Sequence, residues 1–207
     1  NVAATGCEPA RYWMHNNMIT INGQKMGKGL GNAIDLKEFF SGNHALLEQA
    51  YSPMTIRFFI LQSHYRSTLD FSNEALQSAE KGLQRLMNSY KTLVGLEHKA
   101  GKLDKELDDQ IKNWCAECAT FMNDDFNTAR VIANLFELSS QINGFKEGHK
   151  DISSISTDTF ELLKATFNDY LNDVLGLQEE TDGDDELAGG LMELLISIRQ
   201  EARLKKD

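Results

Sequence analysis

The sequence predicts a mainly α protein in which a helical bundle is appended to a fragment of an α/β unit. Two observations carry that expectation. The one strand-like alternation, Met18-Ile19-Thr20-Ile21, lies near the start and runs into Asn22-Gly23, the strongest short hairpin signal. From Ser72 onward only helical periods are evident, separated by polar, glycine-bearing turns.

Taken in order, Asn1–Gly6 reads as the end of a helix, and residues 18–21 as a strand followed by a hairpin turn. Asp35-Leu36-Lys37-Glu38 has the spacing of a capping box, opening a short helix whose positive end points back toward the preceding loop. Ser52-Pro53 is an N-cap followed by a first-turn proline. In the helix it opens, Met54, Phe58 and Leu61 share a face that Ile56, Phe59 and Ile60 widen, which predicts burial between two layers. Further helices are expected near 73–97, 104–122, 126–143, 158–174 and 187–205. Leu103, Leu107, Ile111, Cys115, Cys118 and Met122 form one stripe. Phe126, Ile132, Leu135, Phe136 and Ile142 form a second, stopped by Gly144. Phe160, Leu163, Phe167, Leu171 and Val174 form a third, closed by Gly176, and Glu179–Glu186 reads as an acidic loop.

The chain has 207 residues, 41% hydrophobic and 25% charged, enough for a real core. No apolar run approaches the roughly 18 residues a membrane span needs, and three cysteines without a secretion signal suggest reduced thiols. The net charge of −10 is unevenly placed. Residues 1–90 carry 8 basic and 7 acidic side chains, whereas residues 91–207 carry 13 and 24. A nucleic-acid contact is therefore favoured in the first half, and one in the second half needs a local patch.

The stretch with most chemistry is Gly23–Asn32, GQKMGKGLGN, with Lys25 and Lys28 three residues apart among four glycines. Open backbone amides and two ammonium groups suit a polyphosphate, while the same residues also fit a solvated turn. Familiar phosphate fingerprints fail. A Walker-type loop ending at Lys28 needs glycine at 22 and a hydroxyl at 29, where Asn22 and Gly29 stand, and a dinucleotide loop needs a third glycine where Asn32 stands.

Other constellations favour structural readings. Trp114-Cys115-Ala116-Glu117-Cys118 resembles a redox C-x-x-C, but it lies inside an amphipathic helix with both sulfurs on the apolar stripe, which predicts core packing. In Met122–Thr128, MNDDFNT, adjacent carboxylates would diverge by about 100° on a helix, so Asp125 is expected to be the N-cap of a helix starting at Phe126. His64-Tyr65-Arg66-Ser67 suits an RNA backbone contact with ring stacking. Equally, the tyrosine suits a core and the arginine a helix end. A lone histidine such as His15 is more often structural than catalytic.

Several of these segments together resemble one family. MITINGQKMGKGLGN is similar to the Lys-Met-Ser-Lys-Ser loop of class I aminoacyl-tRNA synthetases, with glycine at both serine positions, Gly27 and Gly29. The run from Tyr12-Trp13-Met14-His15-Asn16 to His64-Tyr65-Arg66-Ser67 resembles the cysteinyl-tRNA synthetases. The likeness continues through MNDDFNT, Val174-Leu175-Gly176-Leu177 and Glu201-Ala202-Arg203, over nearly the whole chain. It implies a ligase that activates cysteine with ATP and Mg2+ and transfers it to tRNA(Cys). Lys25 and Lys28 would be catalytic. Lys28, Met26, Gly27, Gly29 and His15 would bind ATP, and His64, Tyr65 and Arg66 would bind tRNA. The fold implied is an anticodon-binding helical bundle on the C-terminal remnant of a Rossmann-like domain. Residues 1–50 would end the nucleotide-binding domain, 51–72 form a stem-contact junction, and 73–207 form the bundle. The family's His-x-Gly-His signature and its Zn2+ ligands do not occur here, so the resemblance implies the C-terminal portion of a cytoplasmic, monomeric enzyme, inactive alone. Two alternatives are a cysteine ligase of the same lineage with an amino-sugar acceptor, and a non-catalytic helical interaction module.

Overall fold

The computed structural model describes residues 2–179, so the expected acidic loop beyond Glu179 and the expected helix at 187–205 lie outside the described residues. A short helix α1 (Val2–Thr5) precedes an extended, exposed segment that leads into strand β1 (Ile19–Ile21). Asn22 and Gly23 both take positive φ, 49° and 77°, as a tight hairpin turn demands. β2 (Gln24–Lys25) then pairs antiparallel with β1. A third strand was not expected from the sequence: β3 (Leu69–Phe71) lies parallel to β1, with Ile19 opposite Leu69 and Ile21 opposite Phe71. It is three residues long and abuts a helix, so it shows no alternation to read.

The connection from β2 to β3 carries α2 (Leu36–Ser41) and α3 (Pro53–Leu61). The expected cap of α2 forms in part as drawn, with the Asp35 amide donating to Glu38 Oε2 at 2.7 Å. The helix is only six residues, under two turns. α3 starts as expected, the Ser52 hydroxyl accepting from the Thr55 amide. It is less enclosed than predicted. Ile56, Phe58 and Phe59 are buried, while Ile60 is exposed, so one side of α3 is free of the two-layer contact.

The bundle comprises α4 (Asn73–Gly95), α5 (Lys105–Asn123), α6 (Thr128–Lys146) and α7 (Thr157–Asn168), the last continuing into a π-helical stretch at Asp169–Val174. α5 packs on α6 and α7, and α4 on α3 and α6. One hydrophobic core runs from Ile21 and Phe39 through Phe58, Leu86, Ile111, Leu135 and Phe167 to Leu177, uniting sheet and bundle. Close approach of α3 to α4 occurs at Gly82, where a Cβ would stand 3.1 Å from Phe58 Cε1.

Three apolar stripes shift from expectation. Leu103 and Phe126 are exposed because they lie outside α5 and α6. α6 runs through Gly144 to Lys146, and Gly148, at φ 74°, follows its end instead. The π-helical turns after α7 move the buried position from Val174, which is exposed, to Leu175. Gly176 then takes φ 61°, close to the guanidinium of Arg57, whose Nε donates to the Leu175 carbonyl at 2.7 Å. Arg57 thereby ties α3 to the end of the π-helical stretch. Cys115 and Cys118 are in the core as expected, and burial pushes both thiols up, Cys118 to about 11. The helix interior thus holds inert thiols rather than a redox pair.

Among the described residues, no helix is long and apolar enough to cross a membrane.

Candidate functional site

The lysine loop grows directly from the hairpin. Register places Thr20 opposite Lys25 and Ile21 opposite Gln24, and the Met26 amide closes the ladder on the Ile19 carbonyl at 3.1 Å. Met26 is half-buried against the core, while Lys25 and Lys28 on either side are exposed. The methionine anchors the loop and the ammonium groups face water. Neither lysine has an ion-pair partner among the described residues.

Gly27 is extended (φ −169°), and Lys28–Leu30 form one 3-10 turn ended by Gly31 in the left-handed region (φ 68°). Only Gly23 and Gly31 of the four glycines therefore use positive φ. At Gly29 a Cβ would meet nothing within 4 Å, and at Gly27 only Leu30 Cδ1 at 3.9 Å, so side chains would fit at both positions. Asn32 ties the two ends of the loop together. Its Oδ1 accepts from the Gly27 amide at 3.0 Å and its Nδ2 donates to the Lys25 carbonyl at 3.0 Å. The Gly27 amide is thus engaged, whereas the first amides of the 3-10 turn, at Lys28 and Gly29, have no carbonyl behind them within the turn. Asp70 on β3 secures the hairpin from the other side, accepting from Thr20 Oγ1 at 2.6 Å and the Gly23 amide at 2.8 Å. Sequence reasoning assigned neither Asn32 nor Asp70 a role. The only available signal was the skill of Asn and Asp at mimicking backbone partners in turns.

His64, Tyr65 and Arg66 converge on a carboxylate read from the sequence as a helix cap. The Tyr65 hydroxyl donates to Asp125 Oδ1 at 2.6 Å, and Arg66 Nε lies 2.8 Å from Oδ2, with His64 Nε2 at 3.7 Å. Asp125 does not cap α6. Asn127 does, accepting from the Arg130 amide, while Asp125 and Phe126 take φ 58° and 55°. Those two residues close the end of α5: the Phe126 amide reaches the Met122 carbonyl and the Asn127 amide the Phe121 carbonyl. Aspartate tolerates this conformation better than phenylalanine, for which it costs on the order of 1 kcal/mol or more. The hydrogen bond from Tyr65, then the charges of Arg66 and His64, hold the Asp125 carboxyl below its usual range. The Tyr65 hydroxyl and Asp125 likewise raise Arg66. Beside this clasp, Thr128 Oγ1 donates to the Leu61 carbonyl at 2.7 Å, so α6 is tied at its start to the end of α3.

His15 is exposed and stacks on Trp13, with ring centroids 6.4 Å apart. The two line a recess of about 320 Å³ with Asn16, Asn17 and Arg66, and no residue of the 23–32 loop lines it. Asn17 fixes this wall, donating from its amide to the Tyr65 carbonyl and from Nδ2 to the Arg66 carbonyl. The structure thus brings His15 together with Arg66. No cluster of three or more His, Cys, Asp and Glu side chains suited to a metal occurs among the described residues.

Chemically, the loop offers an anionic group two cations that have no ion-pair partner among the described residues, while the clasp is a nearly neutral joint between the segment after α3 and the α5–α6 turn. Comparison with known proteins places these features in a family. A model of the tRNA synthetases class I (C) catalytic domain matches residues 1–81, and a model of the DALR domain matches residues 119–179. The cysteine–tRNA ligase of Cytophaga hutchinsonii is 52% identical over the whole of this chain and 41% of its own length. That of Porphyromonas gingivalis is 51% identical over the same shares. That of Chlorobaculum tepidum is 39% identical over 99% of this chain and 40% of its own. The chain spans about two fifths of the length of these relatives. With both halves matched in order and the lysine loop and clasp inside the matched spans, the chain belongs to the cysteine–tRNA ligase family of class I tRNA synthetases.

Proposed function

We propose that this chain is the part of a cysteine–tRNA ligase that steadies ATP during cysteine activation and carries tRNA-binding helices. The observation that carries the reading is the lysine loop: two exposed ammonium groups without counter-ions among the described residues, on a backbone anchored by Met26 and braced by Asn32. In adenylate formation the cysteine carboxylate attacks the α-phosphorus and pyrophosphate leaves, so nothing on the enzyme need become covalent. Catalysis then consists of placing the reactants and neutralising charge on the phosphates. Lys28 supplies that charge with Lys25 assisting, to ATP as its Mg2+ complex. Met26, Gly27 and Gly29 shape the loop that approaches it, and the loop closes and reopens around the step.

In this reading residues 1–50 finish the nucleotide-binding domain, 51–72 form the junction and 73–207 the bundle. His64, Tyr65 and Arg66 serve tRNA chiefly by setting the bundle's position through Asp125, with the outer face of Arg66 open to a phosphate. His15, in the recess it shares with Arg66, serves the adenosine by position. Zn2+ would be held by residues of the ligase outside this chain. The reading favours tRNA over an amino-sugar as acceptor because a small acceptor needs no helical bundle.

The test is acceptor use by the full-length ligase that contains this segment. Labelled cysteine should become acid-precipitable on tRNA in an ATP-dependent way. Transfer to an amino-sugar and not to tRNA would overturn the assignment.

A further inference from the structure

The bundle half of the chain is acidic, yet one groove in it gathers cations. It lies between α4 and the end of α6, has a volume of about 380 Å³, and is lined by Arg85, Ser139, Ser140, Glu147, His149 and Lys150 among others. Ser139 is only 5% exposed, and its hydroxyl is the one buried side-chain oxygen or nitrogen among the described residues without a hydrogen-bond partner. A buried hydroxyl left unpaired is unfavourable, so its presence at the wall of a cationic groove points to a ligand that completes it. Arg85 is held over the Phe136 ring, 5.5 Å from its centroid, which fixes the guanidinium at the groove, with no ion-pair partner among the described residues. Lys150 is held in place by Gln141 Oε1, a neutral acceptor, and an ammonium has further donors to offer. Glu147 is occupied by His149, whose Nδ1 lies 3.1 Å from Oε2.

We propose that this groove binds a phosphodiester group of an RNA backbone, an inference that rests on the tRNA-binding reading above. Arg85 and Lys150 against Glu147 leave about one positive charge, which matches the single charge of a diester. The hydroxyls of Ser139 and Ser140 donate to its non-bridging oxygens. Arg85 covers the Phe136 ring, and the charged and hydroxyl groups of the groove suit a backbone phosphate, so the contact carries no sequence information.

The experiment uses the full-length ligase with Arg85→Gln, Lys150→Gln and Ser139→Ala, measuring tRNA binding across a salt series. Each lost cation should weaken binding about fivefold near 0.1 M salt and reduce the salt slope by about one. Ser139→Ala should weaken binding about twofold to fivefold, on the scale of one neutral hydrogen bond, with the slope unchanged. Cysteine-dependent pyrophosphate exchange without tRNA should stay within twofold of the parent for all three, showing that the variants fold. Unchanged tRNA affinity and slope with normal exchange would overturn the groove and spare the function, whereas a parent enzyme that fails to bind tRNA would overturn the function itself. A phosphorus NMR titration with inorganic phosphate separates the sources. Saturable phosphate binding that Arg85→Gln abolishes, with tRNA affinity intact, would assign the groove to a free anion and overturn the RNA proposal.

Discussion

The lysine loop and the clasp are both cationic motifs of the first half of the chain, and they differ in what they do with their charge. Lys25 and Lys28 have no ion-pair partner among the described residues and keep their ammonium groups in water. Arg66 and His64 face Asp125, which comes from the bundle some 60 residues away. A free cation can be given to a ligand at the moment of reaction, whereas a paired one holds two parts of the chain at a fixed angle. The difference teaches that Lys and Arg content identifies where charge resides but not whether it is available.

The sharpest way to break this contrast is to remove the free charge. Lys28→Ala in the full-length ligase should slow cysteine-dependent pyrophosphate exchange by about 10²-fold, the scale for one group stabilising a developing charge. A rate within twofold of the parent would mean that the loop cation is idle. The clasp should respond in stability instead. Tyr65→Phe in the full-length ligase removes the hydrogen bond to Asp125 and should lower the thermal midpoint slightly, with activation nearly unaffected. Since the folded Asp125 carboxyl lies below its unfolded value, its contribution is complete above about pH 4 and fades as pH falls through the folded value. The stability gap between parent and Tyr65→Phe should therefore narrow in acid, and a constant gap would place the loss elsewhere. The smallest effect is expected at Gly29→Ser. The position is open and its φ is not positive, so pyrophosphate exchange should remain within about threefold, under the 1 kcal/mol of a typical hydrogen bond.

Much of this was legible in the sequence, and the misses share a cause. The hairpin at Asn22-Gly23, the Ser52 cap and the buried cysteines follow from local rules: a turn dipeptide, a cap followed by proline, a period of three to four. Asp125 was misread because MNDDFNT offers several residues that can cap a helix. What decides among them is Tyr65, distant in sequence, together with the need to close α5 before α6 begins. Asn32 was noticed only as the residue that spoils a glycine pattern, yet its amide closes the loop in a way no fingerprint anticipates. Val174 changed places with Leu175 because π-helical turns break the 3.6-residue period on which the stripe was drawn. Local chemistry was readable, and partners across the fold were not.

The central claim, that the lysine loop answers to ATP while the clasp is a fixed joint, is tested most directly by amide hydrogen exchange on the full-length ligase with and without ATP. The account predicts slower exchange at residues 25–31 when ATP is present, by more than any change at 64–66. Equal exchange at 25–31 in both conditions, or ATP-dependent protection confined to the clasp, would contradict it.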